Sequence, residues 1–286
     1  MLRTVWTLIK DSVNGYIEDD AVSRGAAIAY YTIFSIAPML VIIIAIAGLI
    51  YGPEAARGAI KGQLEGIMGQ QGAYAIQTMI ASANNRHSGI LATVLGIGTL
   101  LITASGVFGE MQIALNVIWK VRTKSKSSTV SRLVRARAIS LGLVASLGFM
   151  LVVSLAVGTM VAALGNQLQR VLPDIDIILQ LINFLLSFAM VTVLFAAIYK
   201  VLPDQSIEWY DVWVGALTTS FLFTVGKTAI GLYIGSSEVA SSYGAAGALV
   251  IVLLWVYYSA QIFLFGAEFT KAFAKRHGSH AVVSDP

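Results

Sequence analysis

Apolar positions fall into six long stretches, with the polar residues gathered between them. The stretches run about Ala26–Tyr51, Gly89–Ile118, Ala138–Leu164, Ile175–Val201, Val212–Ile234 and Gly244–Phe269. A bilayer core needs roughly 20 mostly apolar residues per helix, and each stretch meets that length. The short alternating segments of a membrane β-barrel do not occur. The pattern therefore predicts an all-α polytopic membrane protein with six transmembrane helices.

Two further segments are periodic. In residues 2–17, Leu2, Val5, Trp6, Ile9, Val13, Tyr16 and Ile17 recur at three- and four-residue steps, with Arg3, Thr7, Lys10, Asp11 and Asn14 on the other face. This predicts an N-terminal amphipathic helix, either lying in the cytoplasmic interface and anchored by Trp6 or packed on the bundle. In the 52–88 connection, Ile60, Leu64, Ile67 and Met68 form one apolar series and Ala75, Ile76, Met79 and Ile80 a second, broken at Gly69 and Gly72. Two short external helices are expected there, as a cap over a cavity or as filling at the rim. The domain plan is a cytoplasmic helix (1–25), a transmembrane domain (26–270) with an external helical loop (52–88) and a basic loop (119–137), and a cytoplasmic tail (271–286). The start MLRTVWTLIK meets Glu18, Asp19 and Asp20 before any long apolar core, so no cleavable signal peptide is expected.

Composition narrows the class further. The chain is 57% hydrophobic and 12% charged, where soluble domains carry about 25% charged residues, which excludes an ordinary water-soluble enzyme. With no cysteine, a disulfide framework, a thiolate nucleophile, a cysteine-held zinc and an iron–sulfur cluster are all excluded. His277 and His280 read as part of a solvated tail.

The distribution of charge sets the orientation. Lys120, Arg122, Lys124, Lys126, Arg132, Arg135 and Arg137 crowd one loop, and the basic residues of the two terminal segments and Lys200 fall on the same side of a six-span chain. Fourteen basic residues lie on that side and four on the other. Basic loops stay in the cytoplasm, so both termini are expected there, in a bacterial inner membrane. The 120–137 strip lacks interleaved aromatics for base stacking; it reads as a topology signal near anionic lipid headgroups, and no nucleic-acid partner is expected.

Polar groups within apolar stretches mark candidate sites, because they are costly there unless paired. Pro38, three residues after Ser35, bends the first span, as a gate or as a static kink. Ser105, Gly109, Gln112 and Asn116 share one face of the second span, with Glu110 beside them. Glu110 lies about 15 Å along the helix from Lys120 and reads as a structural glutamate held by Arg24 or by amides, or as a cation or proton site. Lys227 stands alone in the outer half of the fifth span. Tyr258 and Gln261 form a seam in the sixth, and Glu268 returns that span to the cytoplasmic edge. No Ser/His/Asp set can form within the spans and no Walker loop occurs. The chain is expected to be no enzyme and to need no cofactor or metal.

The segments GAAIAYYTIFSIAPML (25–40), ASGVFGEMQIALNVIW (104–119), VLPD (201–204), WVGAL (213–217) and YGAAGALVIVLLWVYYSAQIFLFGAEF (243–269) together resemble the YihY/BrkB inner-membrane proteins, historically labelled ribonuclease BN-like. The resemblance runs from about residue 20 to 273 and implies a six-helix bacterial inner-membrane protein. It implies no settled activity. A hydrolytic nuclease needs a watery cluster of metal-binding or acid/base groups. The nearest approach, Asp204, Glu208 and Asp211, reads instead as the acidic start of span five, favourable at a helix N-terminus.

The leading functional expectation is a transporter-like protein that translocates or exchanges a lipid or other amphiphile. An ion or small-solute permease, coupled through Glu110, is a second reading. A non-transporting envelope-assembly partner is a third. Expected partners are membrane lipids, with a periplasmic envelope protein or self-association as further candidates.

Overall fold

A computed structural model describes residues 2–84, 106–121, 142, 146, 149–150, 152–153, 175–236 and 247–278. Among these, every regular element is helical. In chain order they are α1 (Leu2–Glu18), α2 (Ala21–Tyr51), α3 (Pro53–Asn84), α4 (Gly106–Ile118), α5 (Ile175–Val201), α6 (Trp209–Ser236) and α7 (Gly247–Arg276). Most of the third expected span, the first half of the second with Ser105, and most of the basic loop lie outside the described residues.

Two of these helices contain stretches long and apolar enough to cross a membrane, Ile177–Val201 and Leu249–Arg276. A third crossing exists if the two arms of α2, Ala21–Ala37 and Met39–Tyr51, count as one span; they meet at 43°. The break falls on Pro38, which has no N–H to donate to the residue 34 carbonyl and crowds the preceding turn. The helix α6 has the length of a span but carries Thr218, Thr219, Thr224, Thr228 and Lys227. Its threonines turn their hydroxyls back onto the carbonyls four residues earlier, at 2.9, 2.7, 2.8 and 3.4 Å, so most of its polarity is satisfied within the helix.

At the centre of the bundle α7 packs against α1, α2, α3 and α6, and α5 packs against α6. Tyr199 of α5 stacks on Phe263 of α7 with ring centroids 5.4 Å apart, and Phe195 and Phe223 extend the cluster. The opening turns of α5 leave Ile177, Leu181, Phe184 and Leu185 exposed, as a helix facing acyl chains does.

The helix α1 buries one stripe on the bundle, Leu8 and Ser12, with Gly15 against α7 and Asp19 buried just past its end. A neighbouring stripe stays uncovered: Val5, Ile9, Val13, Ile17 and Trp6, the last 70% exposed. Packing on the bundle and a free apolar face thus coexist in one helix.

The link between α2 and α3 is a single residue. Gly52 has φ +85°, a conformation that suits glycine, and its N–H closes α2 on the Gly48 carbonyl at 2.9 Å. Its carbonyl accepts from Ala56 at 3.2 Å, while Pro53 takes the first helical position, where no donor is needed. The helix α3 is itself broken at Gly69 (φ +75°).

Candidate functional site

Among the described residues, polar side chains gather at a buried charge cluster where α1 turns into α2, at an amide bracket on α4 and at a cavity between α2 and α3, among other places.

The cluster starts from a tight corner. Asp20 adopts the left-handed conformation (φ 52°) that aspartate tolerates, and this turns α1 into α2. The turn directs Asp19 inward. One carboxylate oxygen of Asp19 accepts from the Lys120 ammonium and the other from Lys271 Nζ at 3.0 Å. Lys271 also donates to Glu268 Oε2 at 2.9 Å. Both acidic side chains are 2% exposed, that of Lys271 10% and that of Lys120 59%. Arg24 Nε donates to the Asp19 carbonyl at 2.8 Å. Lys120 ends α4 in a left-handed turn (φ 51°). The Lys120 and Val121 N–H groups donate to the Val117 and Asn116 carbonyls, a Schellman closure that aims its ammonium at Asp19.

Burial pushes the Asp19 carboxyl up, but the Lys120 and Lys271 ammonium groups hydrogen-bonded to it outweigh this and hold the group below the ordinary carboxylate range. A depressed folded value stabilises the docked corner above that ordinary range. The stabilisation is lost as pH falls through the lowered value.

One and two turns further along α7 the same junction is latched again. Tyr16 of α1 donates to Gln261 Oε1, and Gln261 Nε2 donates to the Val22 carbonyl of α2 at 3.2 Å. Burial, with Tyr257 nearby, pushes the Tyr16 phenol up to about 12, so it stays a donor at any physiological pH. Gln261 therefore ties three helices together. Tyr258 packs against Gly226 of α6, where a β-carbon would fall 2.5 Å from its hydroxyl. A further buried seam joins α5, α6 and α7: Tyr199 donates to the Phe263 carbonyl at 2.7 Å, with Thr219 Oγ1 3.0 Å away. Sequence reading passed over Tyr199; its only signal was a hydroxyl in an apolar run.

The polar face of α4 is a bracket. Asn116 Nδ2 and Gln112 Nε2 donate to the two carboxylate oxygens of Asp204 at 2.9 and 3.3 Å, and the Asp204 N–H donates to Asn116 Oδ1 at 2.9 Å. This corrects the expected acidic helix start for Asp204. The helix α6 begins only at Trp209, because Pro203 stops the chain from continuing α5 into it. Asp204 thus belongs to the connecting loop, while Glu208 immediately precedes α6, its carbonyl accepting from the Val212 N–H at 3.1 Å, and Asp211 lies in the first turn. Lys200, counted from sequence as a topology charge, closes that loop on the Ile207 carbonyl and lies 5.3 Å from the Trp209 ring centroid.

The other expected site residues are dispersed. Glu110 is half-buried with no hydrogen-bond or ion-pair partner among the described residues, and Arg24 is engaged with Asp19 rather than with it. Lys227 is exposed on α6. Ser35 is buried on the arm of α2 before the bend. No group of three or more His, Asp or Glu side chains placed to hold a metal ion occurs among the described residues.

Beyond the bend, α2 and the two halves of α3 line a half-open cavity of about 360 Å³ formed by Ile44, Ile60, Ile80, Ala81 and Gly58 with Arg57, Lys61 and Gln77. Ile44, Ile60 and Ile80 are buried; Arg57 and Lys61 are exposed. The cavity pairs an apolar wall with two cations, of which Lys61 faces Glu65 at 3.8 Å one turn along α3.

Comparison with known proteins agrees with the helical membrane architecture. Residues 12–284 match the family described as Virulence factor BrkB. The chain is 25% identical over 92% of its length to a UPF0761 membrane protein of Acinetobacter baylyi, of which it covers 61%. It is 28% identical over 91% to one of Alcanivorax borkumensis, of which it covers 58%. It is 29% identical over 90% to one of Pseudoalteromonas translucida, of which it covers 83%. The chain thus spans about six-tenths of the length of the first two. No solved structure matches. With its motifs distributed from the α2 bend to α7, the chain belongs to the BrkB family of membrane proteins.

Proposed function

We propose that the protein is transporter-like and takes an anionic amphiphile at the cavity between α2 and α3. The cavity itself carries this reading: apolar walls from Ile44, Ile60 and Ile80 with Arg57 and Lys61 among the lining. Arginine and lysine suit phosphate or carboxylate, and the isoleucines suit the first carbons of a chain. At about 360 Å³ it lies at the small end of ligand sites, matching a headgroup and chain origin rather than a whole phospholipid. The Pro38 bend lies six residues from Ile44, so a change of bend angle would reshape the wall. No bond-making step is assigned to any residue.

The test is transfer of fluorescent lipids of differing headgroup in reconstituted vesicles. Wild-type protein is expected to move anionic species faster than protein-free vesicles do. Arg57→Glu with Lys61→Glu is expected to lower that rate about tenfold, the equivalent of roughly 1.4 kcal/mol. No transfer above empty vesicles across the headgroup panel, or a rate untouched by the charge reversal, overturns the reading.

The topology proposed with it has six spans in the inner membrane of a bacterium, both termini cytoplasmic and the α3 region external. Its support is the fourteen-to-four asymmetry of basic residues. The uncovered stripe of α1 then faces the lipid interface and its polar face the cytoplasm. Reporter fusions are expected to place residue 286 inside and residue 63 outside; both on one side of the membrane contradicts this arrangement.

A further inference from the structure

The charge cluster is unbalanced in a way that fit within the bundle does not explain. Two carboxyl groups, Asp19 and Glu268, face one buried ammonium, Lys271. The second ammonium, Lys120, reaches Asp19 and is largely in solvent. As a result three of the four carboxylate oxygens have a donor, and Glu268 Oε1, on a residue 1% exposed, is buried without one. An ionised carboxylate with an orphan oxygen in such a place is costly. No space remains to hydrate it from the α1 side: a β-carbon on Gly15 would fall 2.4 Å from Glu268 Oε2 and 3.4 Å from Oε1.

We propose that Glu268 is a proton-binding site, and that its proton keeps the α1–α2 corner docked on α7. With a proton, Glu268 becomes a donor and Asp19 its acceptor, so every buried oxygen in the cluster takes part in a hydrogen bond. Without it, two carboxylates compete for one ammonium against the backbone of Gly15, and the corner separates. The charged and titratable groups of the cluster are Lys271 on α7, which donates to Glu268 and Asp19, Lys120 beyond α4, which donates to the Asp19 carboxylate, and Arg24 of α2, which donates to the Asp19 carbonyl, with Tyr16 of α1 a turn away. Neither the cavity nor any substrate enters this argument, so it stands or falls apart from the transport reading.

The chain has no cysteine, so spin labels can be placed uniquely. In the full-length protein in nanodiscs, Asn14→Cys on α1 and Lys275→Cys on α7, both exposed, report the separation by dipolar EPR. Between about pH 5 and about pH 9, the range between ordinary carboxylate and lysine titration, the distance is expected to lengthen by about 5 Å or more, roughly half a helix diameter. Glu268→Gln, which keeps a donor and removes the titration, is expected to hold the short distance throughout. A wild-type distance independent of pH overturns the proposal, and this arm holds even if the variant fails to fold. Lengthening on acidification instead assigns the titration to Asp19 and also overturns it, as does a Glu268→Gln protein that follows the wild-type curve.

Discussion

Lys271→Met is expected to destabilise the protein by about 3–5 kcal/mol, the range for removing one partner from a buried ion pair. The side chain is nearly the length of the lysine it replaces, so little packing is lost. What is lost is the one ammonium shared by Asp19 and Glu268, leaving two buried carboxyls with only the solvent-side Lys120 to oppose them. The measurement is the fraction of detergent-solubilised protein that stays monodisperse after heating. The triple variant Asp19→Asn, Glu268→Gln, Lys271→Met separates charge from shape, since replacing a whole buried ionic group is often close to neutral. It is expected to recover most of the loss. A single variant as stable as wild type shows the cluster to be solvated and its burial without energetic consequence.

Gly266→Leu is expected to disrupt the α6–α7 interface, at a cost of about 2–6 kcal/mol. A β-carbon there would lie 1.9 Å from Thr219 Oγ1 and 2.6 Å from Tyr199 Oη. Overpacking of this kind costs about 1–3 kcal/mol, and displacing Tyr199 from the Phe263 carbonyl adds roughly 1–3 kcal/mol for an acceptor and a hydroxyl left buried without each other. The two helices approach closely at several glycines: Gly215 meets Thr270 and Gly226 meets Tyr258 in the same way. Gly231→Ala, where a β-carbon meets nothing within 4 Å, is the control without a clash and should leave stability unchanged or raise it by up to about 1 kcal/mol. Equal thermal losses in both variants contradict close packing at Gly266.

Much of the helical plan was legible because its causes are local. The length of an apolar run reports the solvent around it, so Ile175–Val201 was readable to the residue. Pro38 bends α2 through its own ring and missing N–H, and Gly69 breaks α3 through its own left-handed backbone. Family membership was readable for a similar reason: the motifs at 25–40, 104–119, 201–204, 213–217 and 243–269 are contiguous strings. Reading Asp204 as the start of α6 failed because a loop aspartate and a helix-capping one look alike in sequence. Only the approach of Asn116 and Gln112, some ninety positions earlier, tells them apart.

The sequence by itself determined that this is a helical membrane protein, where its chain bends, and which family it belongs to. Those properties follow from hydropathy, backbone chemistry and short motifs, all of which act over a few residues. Only the tertiary structure decided which polar groups meet. Asp19 and Lys271 are 252 positions apart, as are Gly15 and Glu268 to within one, and Tyr16 reaches Gln261 across 245. Such pairs carry no periodic signal, because Coulomb and hydrogen-bond energies depend on distance in space and are indifferent to distance along the chain. For the same reason Glu110 and Lys227, conspicuous as isolated charges in apolar runs, stand apart from the cluster, while Glu268 at the edge of a span lies within it.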